Sequence, residues 1–293
     1  MKNEYKVSFV ILHYQLVEMT KMCVSCIEAN FNEYNIDIII VDNASPNGSG
    51  KELENLYSSD NIVTVIKCEE NFGFSKGNNI GYRKAKQHKA DFVIIMNNDV
   101  EIHQKDFLDI LFEDYQKYQY HVIGPDIVNL EGVHQSPQRE HYINKKELSK
   151  WYFKRMLFLK LLYIARKVPL FAKVLRKRYI VHDKERIGNF DFSNPKVDVE
   201  LQGACFIFTP SFVDKREYPF EEISFMYGEE PMMGVLCKLN GWHTYYDPKM
   251  KILHKEKSTT RSENVNYIEH EIFYTKNMIE GLRNIINGYF RKK

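Results

Sequence analysis

The sequence has few cysteines, no long apolar run and almost no net charge. Its five cysteines are odd in number and scattered, so they predict no disulfide framework and fit a reducing cytoplasm. No stretch approaches the roughly 18 apolar residues of a membrane span, and the N-terminus shows no signal-peptide apolar region. The net charge of +2 argues against a general nucleic-acid-binding protein.

The composition is that of an ordinary globular protein, and predicted strands alternate with predicted helices. Hydrophobic residues make up 44% and charged residues 27% of 293 residues, which allows a sizeable core in one large domain. Helices of this length between strands imply right-handed βαβ crossovers and a mostly parallel sheet. The strands are predicted at 7–12, 36–41, 62–66 and 91–96, and the helices at 16–31, 51–57 and 82–88.

Polar residues follow three of these strands at the point where each strand ends. The apolar run Phe92–Met96 predicts a strand buried on both faces, and Asn97-Asn98-Asp99 follows it directly. His13-Tyr14 and Asp42-Asn43 end two other strands. Each cluster alone could be a turn, but three at one sheet edge favour a ligand site, most commonly for a nucleotide. The glycine- and amide-rich residues Asn71–Gly81 predict a loop that runs into the helix at 82–88. This loop has neither Walker A nor G-x-G-x-x-G spacing, which argues against P-loop kinases and dinucleotide dehydrogenases.

Further motifs follow in a fixed order along the chain. They are VDNAS at 41–45, NFGFSKGNN at 71–79, NNDV at 97–100, GACFIF at 203–208, FMYGEE at 225–230, GW at 241–242, Y-x-P at 246–248 and ILH at 252–254. In this order they resemble the family 2 glycosyltransferases, specifically the bacterial rhamnosyltransferase-like branch, over residues 5–130 and 197–260. The resemblance implies the GT-A fold, an α/β fold with a mostly parallel central sheet flanked by helices. It also implies an inverting sugar transfer.

The resemblance assigns the donor site to the first half of the chain. Asp42 matches the residue that hydrogen-bonds the donor nucleobase, and a carboxylate suits the imide N–H of uracil or thymine because it only accepts. Gly73 could instead be a turn residue with positive φ. The predicted donor-binding residues are His13, Asp42, Asn43, Ser45, Asn71, Gly73, Asn78 and Asn98.

A divalent cation is implied by the NNDV motif, which corresponds to the family's D-x-D. Asp99 matches its last carboxylate and is expected to hold Mg²⁺ or Mn²⁺ against the donor diphosphate. Asn97 replaces the motif's first aspartate, and its amide oxygen is a weaker metal ligand. His254 matches a histidine that completes the metal site in several members, although a histidine at a strand end can simply be hydrogen-bonded within the protein.

The two glutamates of FMYGEE match the acidic pair that opens the acceptor-side helix. Glu230 matches the family's catalytic base, with Glu229 as the reserve, because an acceptor hydroxyl must lose a proton as it attacks the anomeric carbon. The alternative is that both glutamates only favour a helix N-terminus. The chain departs from the family at Met232, where another aspartate is common and supports the site.

A basic segment separates the two halves of the resemblance. Residues 148–182 contain no Asp or Glu, carry ten Lys or Arg interleaved with aromatic and aliphatic residues, and are divided by Pro169 into two predicted helices. This pattern predicts peripheral contact with an anionic membrane. The alternative is a helical hairpin packed on its own domain or on a partner subunit. Helical spacing from Glu263 to Tyr289 predicts a C-terminal helix that packs on the domain or in a homodimer.

The sequence therefore predicts one GT-A domain. Its parts are a nucleotide-sugar-binding half at 1–130, a basic helical insertion at 139–195, an acceptor half at 196–260 and a C-terminal helix at 261–293. The predicted function is an inverting hexosyltransferase that uses a UDP- or dTDP-sugar donor and a glycan or lipid-linked acceptor in polysaccharide biosynthesis. Its predicted location is the cytoplasm, at the inner face of the plasma membrane. The alternatives are a catalytically impaired scaffold or sugar-binding subunit and a nucleotidyltransferase.

Overall fold

The computed structural model describes residues 4–175, 190–256 and 267–290, and its centre is a single sheet. Long apolar runs form the inner strands, which is expected where helices cover both faces. The described strands are β1 Val7–His13, β2 Ile36–Asp42, β3 Val63–Lys67, β4 Phe92–Asn97, β5 Val100–Glu101, β6 Val122–Asn129, β7 Lys196–Val197, β8 Cys205–Phe208 and β9 Thr244–His254.

The sheet joins a parallel half to a mixed half. Its strand order is β3-β2-β1-β4-β8-β6-β9-β5, with β7 also paired to β9. The strands β3, β2, β1 and β4 are parallel, as the alternating pattern predicted. The predicted mostly parallel order ends there, because β8 enters antiparallel between β4 and β6, and β5 and β7 pair antiparallel with β9. The antiparallel β8 brings residues of the second half of the chain beside the end of β4.

Helices cover both faces of the sheet. They are α1 Val17–Phe31, α2 Ser49–Leu56, α3 Gly73–Gln87, α4 Phe107–Tyr118, α5 Lys145–Lys167, α6 Pro210–Val213, α7 Glu229–Asn240 and α8 Tyr267–Tyr289. Two large clusters of buried apolar residues lie on opposite faces of the inner strands, as the alternation of Phe9 and Ile11 with Val10 along β1 shows.

Helix α3 begins nine residues earlier than the glycine content of its sequence predicted. The prediction of a loop at Asn71–Gly81 was wrong because it rested on the low helix propensity of glycine. A Cβ atom on Gly77 would lie 2.7 Å from Leu12 Cδ1, and one on Gly81 would lie 2.3 Å from Val10 Cγ1. The two glycines therefore let the helix backbone approach the sheet closely, and this packing outweighs the propensity.

Helices α5 and α8 pack against each other as an antiparallel pair. Leu162 and Ala165 of α5 contact Ile268 and Ile272 of α8 in a third apolar cluster. The described part of the basic segment therefore packs on its own domain, as its alternative interpretation predicted, and the helix beside α5 is the C-terminal helix α8. Residues 176–182 of that segment, and 263–266 of the predicted C-terminal helix, lie outside the described residues. Among the described helices, none combines the length and the apolar character needed to cross a bilayer.

A pair of aspartates between α4 and β9 makes the stability of the protein depend on pH. Burial and a hydrogen bond with Asp247 raise the pKa of Asp114 from 3.8 to about 8. The folded protein therefore keeps a proton that the unfolded chain releases, so wild-type stability falls as the pH rises from about 4 to about 8. We expect Asp114→Asn to remove this loss, because the amide can donate to Asp247 without a titrating proton.

Thermal unfolding of Asp114→Asn and wild type across this pH range measures the effect. We expect a Tm about 2–4 °C above wild type at pH 8, corresponding to about 1 kcal/mol, and little difference at pH 5. Glu113→Gln is the matched control, since Glu113 is exposed on the same helix. A difference that does not grow with pH would show that the two aspartates share no proton.

Candidate functional site

The polar ends of β2, β1 and β4 lie side by side at one edge of the sheet. In the strand register His13 is opposite Asp42, and Leu12 is opposite Asn97. The three polar clusters predicted from the sequence therefore meet at the carboxyl edge of neighbouring parallel strands. A crevice for a ligand forms at such an edge in open α/β sheets.

His13 lies in the floor beneath this crevice. It is fully buried, its Nδ1 is 2.7 Å from Thr20 Oγ1, and its Nε2 is 2.8 Å from Ser49 Oγ. Burial lowers the pKa of His13 to about 4, so the ring is neutral at physiological pH. Asn98 donates to the same Thr20 hydroxyl at 3.0 Å. Both ring nitrogens of His13 are thus engaged within the protein, and its position indicates support of the crevice rather than direct contact with a ligand.

The Asp42 side chain is closely surrounded by neighbouring atoms at the end of β2. It is 4% exposed, its Oδ1 accepts from the Ser45 backbone N–H at 3.2 Å, and it packs against Gly50 of α2. Ser45 in turn accepts from the Gln15 backbone N–H through Oγ at 2.8 Å. The chain between β2 and α2 therefore fixes the Asp42 carboxylate at the rim of the crevice.

Gly50→Ala tests the position of Asp42 without changing its carboxylate. A Cβ atom at residue 50 would lie 1.8 Å from Asp42 Oδ2, so the carboxylate must move. We expect donor affinity to fall about tenfold or more, the usual cost of losing a hydrogen bond to a charged group, although alanine is the better helix former. Calorimetric titration with UDP and dTDP measures the change. Gly288→Ala in α8 is the matched control, because no atom lies within 4 Å of its added Cβ; equal effects of both variants would remove Asp42 from the donor site.

Asn43 connects the end of β2 to the start of α3. Its Oδ1 accepts from the Phe72 N–H at 2.8 Å, and its Nδ2 donates to the Gly73 carbonyl at 3.0 Å. Asn71 closes the turn by accepting from the Gly73 N–H at 2.9 Å. Gly73 has φ of +73°, and a Cβ atom there would lie 1.9 Å from the carbonyl oxygen of Phe225. Glycine is therefore required at this position for both its conformation and the close approach of the FMYGEE segment.

Asn78 sits inside α3 rather than in the predicted loop. It is 1% exposed, and its Nδ2 donates to the Phe74 carbonyl at 3.1 Å. Of the predicted donor-binding residues, Asn43 and Asn71 are thus engaged in holding the backbone. Asp42 and Ser45, which the sequence assigns to the donor nucleobase, lie together between β2 and α2.

Asp99 and His254 come together beyond the end of β4. His254 Nε2 is 3.3 Å from Asp99 Oδ1, and its Nδ1 is 2.7 Å from Gln135 Oε1. Engagement of the second ring nitrogen by a neighbouring acceptor is the arrangement that orients metal-ligating histidines. Asn97 is adjacent through the backbone, where its N–H donates to the Ala204 carbonyl at 2.9 Å.

This pair fits a divalent cation whose other ligands come from a substrate. Within the described residues, no group of three or more His, Cys, Asp or Glu side chains is placed to hold a metal alone. Mg²⁺ is usually bound by one or two protein carboxylates together with water and substrate phosphates. One carboxylate oxygen and one imidazole nitrogen, oriented by Gln135, therefore suit a cation that binds together with a diphosphate.

Glu229 and Glu230 open α7 but face different surroundings. Glu229 is buried and its Oε1 accepts from Ser75 Oγ of α3 at 3.1 Å. Burial and the neighbouring Glu230 carboxylate raise the pKa of Glu229 to about 8. Glu230 is only half-buried; its Oε1 accepts from Gln138 Nε2 at 3.3 Å, and the Gly203 N–H also donates to it. Glu230 is the more accessible carboxylate, and burial raises its pKa as well.

The segment from Gln135 to Arg139 crosses the site and was not identified from the sequence. Gln135 contacts His254 and Gln138 contacts Glu230. At the end of the segment, Arg139 Nε donates to Glu200 Oε1 at 3.0 Å, and the same two residues form an isolated antiparallel bridge. The sequence signal, two glutamines around Ser-Pro, is weak because it has no periodicity and no chemistry specific to a site.

Contacts connect the two halves of the site at one sheet edge. Glu230 accepts from Gly203, and the next residue, Ala204, accepts from Asn97 at the end of β4. On the other side, Gly73 and Phe74 contact Phe225 of the FMYGEE segment. The residues predicted for the base, the cation and the donor are therefore linked by contacts along one edge of the sheet.

Comparisons with known proteins agree with this architecture. The sequence model described as Glycosyl transferase family 2 matches residues 8–179. The low-salt glycan biosynthesis hexosyltransferase Agl10 of Haloferax volcanii is 32% identical over 136 residues, an alignment that covers 45% of this chain and 41% of Agl10. The chain thus matches less than half the length of that relative.

Two solved structures have a similar fold at low sequence identity. S. aureus TarS, residues 1–349, has a TM-score of 0.50 at 13% identity, and the match covers 85% of this chain and 60% of that one. GalNAc-T7, solved with UDP, GalNAc and Mn²⁺, has a TM-score of 0.57 at 14% identity, covering 88% and 46%. The predicted GT-A fold class is confirmed. Because the family model covers more than half of the sequence, the chain belongs to glycosyl transferase family 2.

Proposed function

We propose that this protein is an inverting glycosyltransferase that takes a sugar from a nucleoside diphosphate. The observation that carries the proposal is the position of Glu230 relative to the end of β4. The Gly203 N–H donates to the Glu230 carboxylate, and the carbonyl of the next residue, Ala204, accepts from Asn97 at the end of β4. A base and a diphosphate-binding carboxylate, Asp99, thereby share one crevice. Family membership favours glycosyl transfer over nucleotidyl transfer.

The donor is a UDP- or dTDP-sugar in this proposal. Asp42 accepts the imide N–H that uracil and thymine share, and Asn43 holds the α3 turn that closes the donor side of the crevice. Asp99 and His254 would hold Mg²⁺ or Mn²⁺, which would offset the charge that develops on the leaving diphosphate. GalNAc-T7, which shares the fold, was solved with UDP and Mn²⁺.

The chemical step is assigned to Glu230. Its ionised carboxylate accepts the proton of the acceptor hydroxyl as that oxygen bonds to the anomeric carbon from the face opposite the diphosphate. The bond between the anomeric carbon and the diphosphate oxygen breaks, so the nucleoside diphosphate leaves and the configuration inverts. Gln138 and Gly203 donate to Glu230 and favour the ionised form that the step requires.

The hydrogen bonds from these two donors also compensate for the missing carboxylate at position 232. The family often has a supporting aspartate there, whereas Met232 is 2% exposed among apolar residues. Glu230 is nevertheless oriented from the other side, by Gln138 and Gly203. This geometry favours an active enzyme over the scaffold or sugar-binding subunit that Met232 and Asn97 could suggest.

The acceptor in this proposal is a glycan or lipid-linked glycan of cell-surface polysaccharide synthesis, and the sugar is a hexose such as rhamnose. Agl10, which is similar over part of the chain, is named as a glycan biosynthesis hexosyltransferase. A protein that meets lipid-linked acceptors is expected at the inner face of the plasma membrane as a peripheral protein.

A thermal-shift screen of nucleotide sugars, with and without Mn²⁺, tests the function. We expect UDP- or dTDP-sugars to raise Tm in a Mn²⁺-dependent way, and the stabilising donor to be hydrolysed or transferred. Stabilisation without turnover of any donor would support the scaffold reading. No stabilisation by either pyrimidine class would remove the nucleobase assignment of Asp42.

A further inference from the structure

The solvent-facing side of α5 carries an unusual stripe of apolar and basic residues. Phe153, Leu157 and Ile164 are 69%, 62% and 52% exposed, and they recur at helical spacing on one side of α5. Exposed lysines at residues 150 and 160 lie on the same side, and the exposed Lys154 lies at its border. Single exposed apolar residues are normal on protein surfaces, but a continuous series of large ones on one helix face marks an interaction surface. We call this surface the α5 stripe.

The α5 stripe faces away from the side of α5 that packs on the rest of the protein. Leu148, Leu162 and Ala165 are the buried residues of α5, and they lie on the opposite side of the helix. Arg166 pairs with Glu269 of α8 at 2.7 Å where the two helices flank each other. The internal helix pairing therefore accounts for one side of α5, and within the described residues nothing covers the stripe.

Every charged side chain of the stripe is basic. Residues 148–182 contain no Asp or Glu, and the one acidic residue of α5, Glu147, is engaged with Asn144 and His141 at the N-terminus. In the described part of the chain, Lys150, Lys154 and Lys160 form no ion pair. The stripe thus presents uncompensated positive charge around large apolar side chains.

We propose that the α5 stripe binds the surface of an anionic lipid bilayer. Phe153, Leu157 and Ile164 enter the boundary between headgroups and acyl chains, and the lysines contact anionic headgroups, as in helices that lie in the membrane interface. A second copy of this chain is the main competing occupant. A symmetric dimer through the stripe would place lysines against lysines, because a two-fold interface uses the same patch on both subunits. Charge complementarity therefore favours the bilayer.

Bilayer contact would place the catalytic crevice at the membrane surface. Trp151, two turns into the same helix, carries the Arg139 guanidinium over its ring at 4.8 Å, and Arg139 follows Gln138, which contacts Glu230. The first turns of α5 thus lie beside the acceptor side of the site. This part of the inference rests on the proposed function and implies an acceptor whose reacting sugar is held close to the headgroups.

Sedimentation of the full chain with lipid vesicles tests the binding independently of activity. We expect binding to phosphatidylcholine vesicles with about one-third phosphatidylglycerol, weakened by salt, and little binding to pure phosphatidylcholine. Changing Lys150, Lys154 and Lys160 together to glutamate should weaken binding by about two orders of magnitude or more, since each basic residue near the surface contributes roughly fivefold. Phe153→Ser with Leu157→Ser should also release the protein from the anionic vesicles.

The matched control changes the same amount of charge elsewhere. Lys105, Lys238 and Lys249 are exposed and lie outside α5, so their triple glutamate variant should retain most of the binding. Equal loss in both triple variants, or no binding by wild type at low salt, would overturn the proposal. A wild-type dimer that dissociates when the α5 stripe is changed would assign the stripe to a second copy instead. Since none of these measurements uses a nucleotide sugar, a failure here is separate from a failure of the proposed function.

Discussion

Glu230→Gln is expected to lower turnover by about 10²-fold or more while donor affinity stays near that of wild type. The glutamine keeps the size of the side chain and can still contact Gln138, but it cannot accept a proton from the acceptor hydroxyl. Donor affinity should be retained because Asp42 and Asp99 do not contact this side chain. Single-turnover transfer kinetics and calorimetric titration with the nucleoside diphosphate measure the two quantities separately.

Glu229→Gln is the matched comparison, because Glu229 is the adjacent residue on the same helix turn. Its carboxyl is buried against Ser75, and its raised pKa of about 8 means that it is largely protonated at neutral pH. A neutral amide is therefore a close substitute for it, and we expect a much smaller effect on turnover. If Glu229→Gln is the impaired variant, the base has been assigned to the wrong glutamate.

The pH dependence gives a second readout for the same residue. Burial raises the pKa of Glu230 above 4.5, so kcat/KM should fall as the pH falls through that raised value. The hydrogen bond from Gln138 favours the ionised form and lowers the pKa of Glu230. Gln138→Ala should therefore shift the acidic limb of the profile to higher pH. A purely structural role of Gln138 would reduce activity without moving the limb.

Asp99→Ala is expected to abolish the cation-dependent part of donor binding. Asp99 is 3% exposed at the end of β4, and with His254 it supplies the described protein ligands that suit the cation. A cation bound to one imidazole and a diphosphate, without the carboxylate, loses the hard anionic oxygen that Mg²⁺ prefers. Titration of UDP and dTDP with and without Mn²⁺ should show that Mn²⁺ improves affinity for wild type and has no effect on the variant.

Asp106→Ala provides the control for this substitution. Asp106 is exposed before α4 and makes no capping hydrogen bond with its side chain, so its loss should leave the Mn²⁺ effect intact. Retention of the full Mn²⁺ effect in Asp99→Ala would place the cation elsewhere. His254 would then be a histidine held by Gln135 and Asp99 within the protein and not a metal ligand.

The features that the sequence predicted well depend on local patterns. The continuous apolar runs of β1, β2 and β4 identified inner strands to within one residue at each end, because burial on both faces leaves little other choice of sequence. The polar residues at their ends were placed at one edge by topology alone, since parallel neighbours end on the same side. Family resemblance extended this to Glu230 and His254, which no local pattern could have connected with Asp99.

The features that the sequence did not predict depend on contacts between distant segments. The predicted helix at 82–88 was shorter than the observed α3 because glycines disfavour a helix in isolation. In the folded protein Gly77 and Gly81 are needed for close packing on the sheet. A four-residue apolar run such as β8 does not indicate whether the strand pairs parallel or antiparallel with its neighbours. Gln135 and Gln138 acquire their roles only because the chain crosses from His254 to Glu230 after β6.

The bridge between Arg139 and Glu200 fastens the segment that carries α5 where it leaves the acceptor side of the site. The two residues exchange main-chain hydrogen bonds of 3.4 and 3.0 Å beside their ion pair. Farther along the same segment, β7 pairs with β9 and Tyr142 contacts Thr244. Force applied to α5 from outside the domain is therefore expected to be borne by these anchors, and the residues around Glu230 should keep their positions.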